Sequence, residues 1–304
     1  MDRVELLSAL EEHFAIRIPD AQAQQIFTVS QLIDAVRPGA RVGGGIATED
    51  SWPAMLRALP PADDPVLSGL LERRPIVRRL FFFLPRLLRT VLPPIEVSGL
   101  RNLPSDGPYI ISPNHQGYLD PFIICGVMPY QVFRHLFFVG AAEYFETKSM
   151  AWIARQGNCV PVDPDANLVP AMRAGAFGLA HGKILMLFPE GERAIDGTVK
   201  RFKKGAPILS RHLGVPIVPV AIRGAYELWP RNRSINWRLM FPWSRHRIRV
   251  AFGSPRRFEE PADYTKAASA LQATVAAMWE ELGVVSASLQ NLRDPRGNGG
   301  SGRR

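Results

Sequence analysis

Apolar and polar positions change rhythm along the chain, and the changes mark its parts. Val4, Leu7, Leu10 and Phe14 recur at helical spacing, and a capping-box pair, Thr28 and Gln31, opens a second helix carrying Leu32, Ile33 and Val36. Residues 1–37 thus read as a small helical fragment, too short to bury a core of its own. Residues 38–70 read as a linker, broken by Pro38-Gly39, Gly43-Gly44-Gly45 and Pro60-Pro61, with an apolar patch at Trp52, Met55 and Leu56. Residues 76–92 mix bulky apolar side chains with Arg78, Arg79, Arg86 and Arg89. That run is too short and too charged to span a bilayer, and it suits either an interfacial helix kinked at Pro85 or a core helix with snorkelling arginines.

Beyond it, short apolar runs alternate with helical patterns. Strands are expected at 95–97, 108–112, 136–139, 159–162, 184–188, 215–222 and 248–252. Helices are expected at 121–128, 149–155, 168–181, 206–213 and 267–282. This order predicts an α/β fold, a mostly parallel central sheet flanked by helices, over residues 71–290. The Gly-, Ser- and Arg-rich end, 291–304, reads as a disordered tail.

Composition narrows the class. The chain has 304 residues, 46% hydrophobic and 21% charged, which fits a globular protein. Lys and Arg number 37 against 28 Asp and Glu, a net charge of +9, so an anionic partner is expected: a phospholipid surface, a nucleic acid or a phosphorylated substrate. The two cysteines, Cys125 and Cys159, lie in apolar stretches without metal-ligand spacing and read as reduced, packed thiols. No secretory pattern opens the sequence, no metal site is expected, and neither a Gly-x-Ser-x-Gly elbow nor a phosphate-binding P-loop occurs.

Two segments carry candidate chemistry, each directly after an expected strand, where α/β folds place reactive groups. In Asn114-His115-Gln116-Gly117-Tyr118-Leu119-Asp120-Pro121, His115 is the natural base at neutral pH. Asp120, beyond the Gly117 turn, can fold back to orient the imidazole, or it can cap the helix that Pro121 starts. In Phe188-Pro189-Glu190-Gly191-Glu192-Arg193, Arg193 offers a fork suited to phosphate. Lys200, Arg201, Lys203 and Lys204 follow just before a helix start, where basic side chains and backbone amides attract anions or simply form a solvated charged loop.

Four blocks in order, Asn114-His115 with Asp120, Gly157 to Asp163, Phe188 to Arg193 and Val215 to Val220, resemble the glycerophospholipid acyltransferase family, of the 1-acylglycerol-3-phosphate acyltransferase type. The resemblance covers roughly residues 75–285. It implies transfer of an acyl group from a thioester donor, acyl-CoA or an acyl carrier protein, to the hydroxyl of a lysophospholipid, with no cofactor. His115 and Asp120 would be catalytic; Asn114, Asp163, Glu190, Gly191, Arg193 and Lys204 would bind substrate. Both substrates are amphiphiles, so a peripheral place on the cytoplasmic face of a membrane rich in anionic lipid is expected. Trp229, Trp237, Phe241 and Trp243, interleaved with Arg231, Arg233, Arg238, Arg245 and Arg247, suit headgroup depth, and the aromatic clustering speaks against nucleic acid as the partner.

Two departures stand out. Pro164, where the family often has Arg, follows Asp163, and Glu192 stands where Thr is common, which suits an amine-bearing headgroup. The alternative from another class is a non-catalytic lipid-binding protein on the same scaffold. Residues 2–29 are in turn similar to the later helices of an acyl carrier protein, without the phosphopantetheine-bearing serine; the partners implied are a carrier protein and an upstream acid–thiol ligase.

Overall fold

The computed structural model describes residues 52–57, 59–61, 64, 67–72, 75–141, 147–162, 168–258 and 263–293. The carrier-like fragment at 1–37, the tail beyond Arg293 and Asp163 lie outside them.

Seven strands form one sheet: β1 (Ile95–Ser98), β2 (Tyr109–Pro113), β3 (Leu136–Ala141), β4 (Cys159–Val162), β5 (Ile184–Met186), β6 (Ile217–Arg223) and β7 (Ile248–Phe252). Their order is β1-β7-β6-β2-β5-β3-β4. β6, β2, β5, β3 and β4 pair in parallel; β7 runs antiparallel to β6 and parallel to β1. The central strands read as near-continuous apolar runs because helices cover both their faces. Every residue of β2 is buried, as are Ile217 to Ile222 of β6.

Nine helices flank this sheet among the described residues: α1 (Trp52–Arg57), α2 (Pro75–Val91), α3 (Asp120–Val127), α4 (Tyr130–Phe133), α5 (Lys148–Gln156), α6 (Leu168–Ala180), α7 (Gly205–Leu213), α8 (Trp237–Met240) and α9 (Tyr264–Arg293). One face of the sheet packs against α6, α7 and α9 through Phe177, Leu209, Leu271 and Val275. The other packs against α3 and α4 through Ile123, Ile124, Val132 and Phe133.

Two expectations change. Within the expected linker, α1 is a helix whose Trp52 and Leu56 sit in the first core at 6% and 1% exposure. Its apolar pair is integral to the domain, not a loosely docking patch.

The second concerns α2, which continues as one helix through Pro85. It packs on α3, where a side chain at Gly126 would come within 3.1 Å of the Pro85 carbonyl oxygen. Phe81, Phe82 and Leu88 pack against the core and Arg79 and Arg89 stay exposed, but two arginines join the inward face. Arg78 is buried and donates to the carbonyls of Phe133 and Leu136; Arg86 donates to Met128 and lies over the Phe82 ring. Ile76, Leu80, Phe83, Leu84, Leu87 and Val91 face outward, the last the least exposed at 48%. No helix among the described residues is long and apolar enough to cross a membrane.

Cys125 and Cys159 are unpaired, and burial pushes both thiols up to about 12, as packed reduced cysteines require. If α1 belongs to the core, Trp52→Ala lowers stability by about 3 kcal/mol, the usual cost of truncating a buried aromatic. Urea unfolding of the full chain checks this, and an unchanged midpoint would return α1 to the linker.

Candidate active site

β6, β2 and β5 are neighbours, and the loops leaving their C-terminal ends meet. β2 delivers His115, β5 delivers Phe188 to Arg193, and β6 delivers Gly224 to Trp229. An open parallel sheet binds ligands at this kind of strand end.

Asp120 is fully buried at the start of α3, and its carboxylate turns back toward the preceding loop. One oxygen, Oδ2, accepts from the His115 ring at Nδ1 (2.7 Å), from the Gln116 amide (2.6 Å) and from the Gly117 amide (2.9 Å). Of the two roles open to Asp120, the orienting one is therefore the one it fills. With Nδ1 engaged, Nε2 is the ring nitrogen left for substrate. Phe188 stacks on the imidazole with centroids 4.1 Å apart and fixes its plane. Gly117 is required because a Cβ there would meet the Trp229 carbonyl at 2.5 Å.

The two sequence blocks are laced through the backbone of His115. Its amide donates to Glu190 Oε1 (3.0 Å), and its carbonyl accepts from the amide of Ala194 (2.7 Å). Glu190 is buried; burial pushes its carboxyl up to about 7, against the pull of the His115 and Lys200 amides, and the nearby Asp120 adds to the rise. Its other oxygen, Oε2, is buried without a hydrogen-bond partner among the described residues.

Gly191 adopts φ +74, a left-handed conformation, and a Cβ there would meet Lys203 Nζ at 2.5 Å. Lys203 thus lies across the turn, Lys200 reaches the Arg193 carbonyl (3.4 Å), and Arg193 lies over the Tyr118 ring (3.9 Å). The His115–Asp120 pair and these cationic side chains thus sit on adjoining, mutually bonded loops.

Other expected residues fall elsewhere. Asn114 is fully buried in the sheet: its side-chain amide donates to the Ile222 carbonyl (3.0 Å) and its oxygen accepts from the Ile222 amide (2.7 Å). It extends the β2–β6 ladder, with both ends of its side-chain amide engaged there. Lys204 is the N-cap residue of α7, and the cation over Gly191 is its neighbour Lys203. Glu192 is bonded to Arg231 from the β6–β7 loop, so its carboxylate is already matched by a cation. Phe188, Tyr118 and Trp229 were not singled out as site residues in the sequence; Tyr118 sits inside the His115 block and was legible there only as an aromatic beside a glycine.

The basic–aromatic stretch divides. Trp229 turns inward to Tyr118 (4.8 Å), whereas Trp237 and Trp243 are exposed, the latter stacked on Phe241. A cleft of about 680 Å3 lies along this stretch, lined by Tyr226, Arg233, Trp237, Arg238 and Leu239 among others; His115, Asp120, Glu190 and Arg193 do not line it. No cluster among the described residues could hold a metal ion.

With this geometry in place, comparison adds relatives. Residues 94–223 match the Acyltransferase family model. The segment is 30% identical over 139 residues to the chloroplastic 1-acyl-sn-glycerol-3-phosphate acyltransferase BAT2 of Brassica napus, covering 44% of this chain and 39% of that protein. It is 26% identical over 131 residues to the 1-acyl-sn-glycerol-3-phosphate acyltransferase of Bacillus subtilis, covering 43% and 63%. The chain spans about two-fifths of the length of the plant relatives it matches. The fold is that of the crystal structure of the 1-acyl-sn-glycerophosphate acyltransferase PlsC from Thermotoga maritima, with a TM-score of 0.54 at 22% identity over 76% of this chain and 94% of that one.

The raised Glu190 carboxyl yields a signed prediction. The native state holds this proton up to about 7, whereas the unfolded chain releases it near 4.5. The unfolded state therefore binds fewer protons between these values, and stability falls as pH rises through that window, then levels. In Glu190→Gln this component is gone. Melting temperatures of both proteins from pH 4.5 to 8 should show the wild-type decline shrinking in the variant, and parallel curves would remove the raised carboxyl.

Proposed function

We propose that this protein transfers an acyl group from a thioester to the free hydroxyl of a phosphate-bearing lysophospholipid, of the lysophosphatidate class. The observation that carries the reading is the His115–Asp120 pair, bonded at 2.7 Å, with the His115 backbone bonded to the loop that carries Arg193 and its neighbours Lys200 and Lys203. His115 Nε2 removes the acceptor hydroxyl's proton as its oxygen bonds to the thioester carbonyl carbon. The imidazolium formed is stabilised by Asp120 through Nδ1. The tetrahedral adduct collapses, the carbon–sulfur bond breaks, and the leaving sulfur takes the proton back from Nε2. One ester and one thiol result, with no acyl-enzyme. The names of the Brassica and Bacillus relatives support the acceptor class, and the engagement of Glu192 by Arg231 removes the argument for an amine-bearing headgroup.

The same reading places the reaction at a membrane surface. Helix α2 turns six apolar side chains outward, together with Arg79 and Arg89, while Arg78 and Arg86 point inward. An apolar stripe of this length is costly in water and suits insertion at the level of the acyl chains. Trp152 of α5, which packs beside α2, is 60% exposed.

Two outcomes test these statements. His115→Ala should lower turnover at least 100-fold with acyl-CoA or acyl-carrier donor while vesicle binding persists; turnover equal to wild type refutes the base. The double variant Leu80→Glu/Leu87→Glu should abolish co-sedimentation with phosphatidylglycerol-containing vesicles at an unchanged melting temperature, whereas full co-sedimentation would detach α2 from the membrane.

A further inference from the structure

The β6–β7 loop begins where the family match ends, at Arg223, yet one of its residues reaches the loop after β2. Trp229 packs on Tyr118 with ring centroids 4.8 Å apart and planes tilted by 36°, and the Arg193 guanidinium lies over the Tyr118 ring at 3.9 Å. The three side chains come from three separate loops: Trp229 after β6, Tyr118 after β2 and Arg193 after β5.

The contact is fixed from several sides. The Tyr118 amide donates to the Trp229 carbonyl (3.2 Å), and the same carbonyl excludes any side chain at position 117. The buried Gln116 side chain donates to the Gly197 carbonyl (2.9 Å) and accepts from the Ala225 amide (3.3 Å), joining the loop after β5 to the loop after β6. The Asn236 amide donates to the Leu228 carbonyl (2.8 Å) and closes the loop just beyond Trp229.

Electrostatics gives this column a purpose. An aromatic face attracts a guanidinium stacked flat on it, and more strongly where water is partly excluded. Tyr118, Trp229 and Arg193 are all half-buried. A guanidinium held by its face meets phosphate through its edge, where its N–H groups form a planar fork. An unbraced arginine must lose rotamer freedom each time it binds. The column removes that loss beforehand and sets the plane of the fork relative to His115, whose carbonyl is bonded to the very next residue, Ala194.

We propose that Tyr118 and Trp229 are positioning residues for acceptor recognition: packed together, they hold Arg193 in the orientation that grips the acceptor's phosphate, so the β6–β7 loop sets acceptor affinity from outside the matched segment. This rests on the lysophospholipid reading above. It adds to that reading two aromatic residues that do not contact the reacting atoms, and it assigns them to binding of the phosphate alone.

The test compares two probes with the purified full-length chain in detergent micelles, 1-oleoyl lysophosphatidate and 1-oleoylglycerol, which differ by the phosphate. Wild type should bind the first more tightly. Tyr118→Leu should weaken lysophosphatidate binding roughly five- to twenty-fold, the span of a partly desolvated cation–π contact, and leave oleoylglycerol unchanged. In assays the acceptor KM should rise by the same factor with kcat and donor KM within about two-fold. Tyr118→Phe, which keeps the ring, should return the KM toward wild type. Trp229→Leu should act as Tyr118→Leu does, and it serves where Tyr118→Leu fails to fold. Arg193→Lys, which keeps the charge and loses the flat stack, should cost much less in the Tyr118→Leu background than in wild type. The proposal is overturned if wild type shows no preference for the phosphate, if the Leu variants lose both probes equally, if kcat falls at constant KM, or if the Arg193→Lys effects add. Phosphate-dependent binding that follows the column, without turnover by wild type, would sink the acyltransferase reading and leave the column standing.

Discussion

One carboxylate oxygen organises this site. Asp120 Oδ2 accepts from an imidazole and two backbone amides in a region with no water-exposed surface on the residue. A buried carboxylate left unmatched would be strongly destabilising, so the three donors are a condition of its burial as much as a consequence. Meeting that condition folds residues 115–117 into a turn tight enough to need glycine at 117, and the turn in turn holds the imidazole with Nδ1 inward. The same bonds that make the charge tolerable fix the imidazole. Side-chain geometry and local folding are here a single constraint, and β2 and α3 act as the two rigid arms that it joins.

The sheet was legible because its strands are covered on both faces and bounded by proline and glycine. Ile110, Ile111, Ile184, Leu185, Val218 and Val220 have no polar alternation to mislead. What the sequence hid follows from side-chain direction. Trp52 and Leu56 lie amid prolines and aspartates, so the surrounding composition outweighed the helical spacing of two core anchors. In α2 the spacing showed an apolar stripe and an arginine stripe, but a helical pattern does not state which stripe meets the protein. Carbonyls at Phe133, Leu136 and Met128, invisible until the chain folds, draw Arg78 and Arg86 inward.

The site shows the same limit at finer scale. A motif assigns residue types to a neighbourhood, and bonding partners then divide the labour within it. Asn114 belongs to the block that names the site, yet it is drawn by the backbone of Ile222 into the sheet. Lys203 and Lys204 are adjacent in sequence and indistinguishable by charge; one caps a helix and the other crosses Gly191, because successive residues at a helix start point in different directions. Glu192 read as a free recognition group only because Arg231 is thirty-nine residues away. The His115–Asp120 pair was legible because its partners are close in sequence, with one short turn to connect them.

Two buried carboxylates, Asp120 and Glu190, flank His115, and their unequal environments decide how each behaves. Asp120 has a cationic-capable ring and two amides on one oxygen. Glu190 holds the His115 and Lys200 amides, and Asp120 lies near enough to oppose its ionisation; in both carboxylates the other oxygen is buried without a partner among the described residues. Burial keeps the Glu190 carboxyl reluctant to ionise, yet its bond to the His115 amide survives, because an uncharged carboxyl oxygen still accepts. Asp120 engages the His115 ring and Glu190 its backbone, so one carboxylate meets the imidazole and the other meets the chain that carries it.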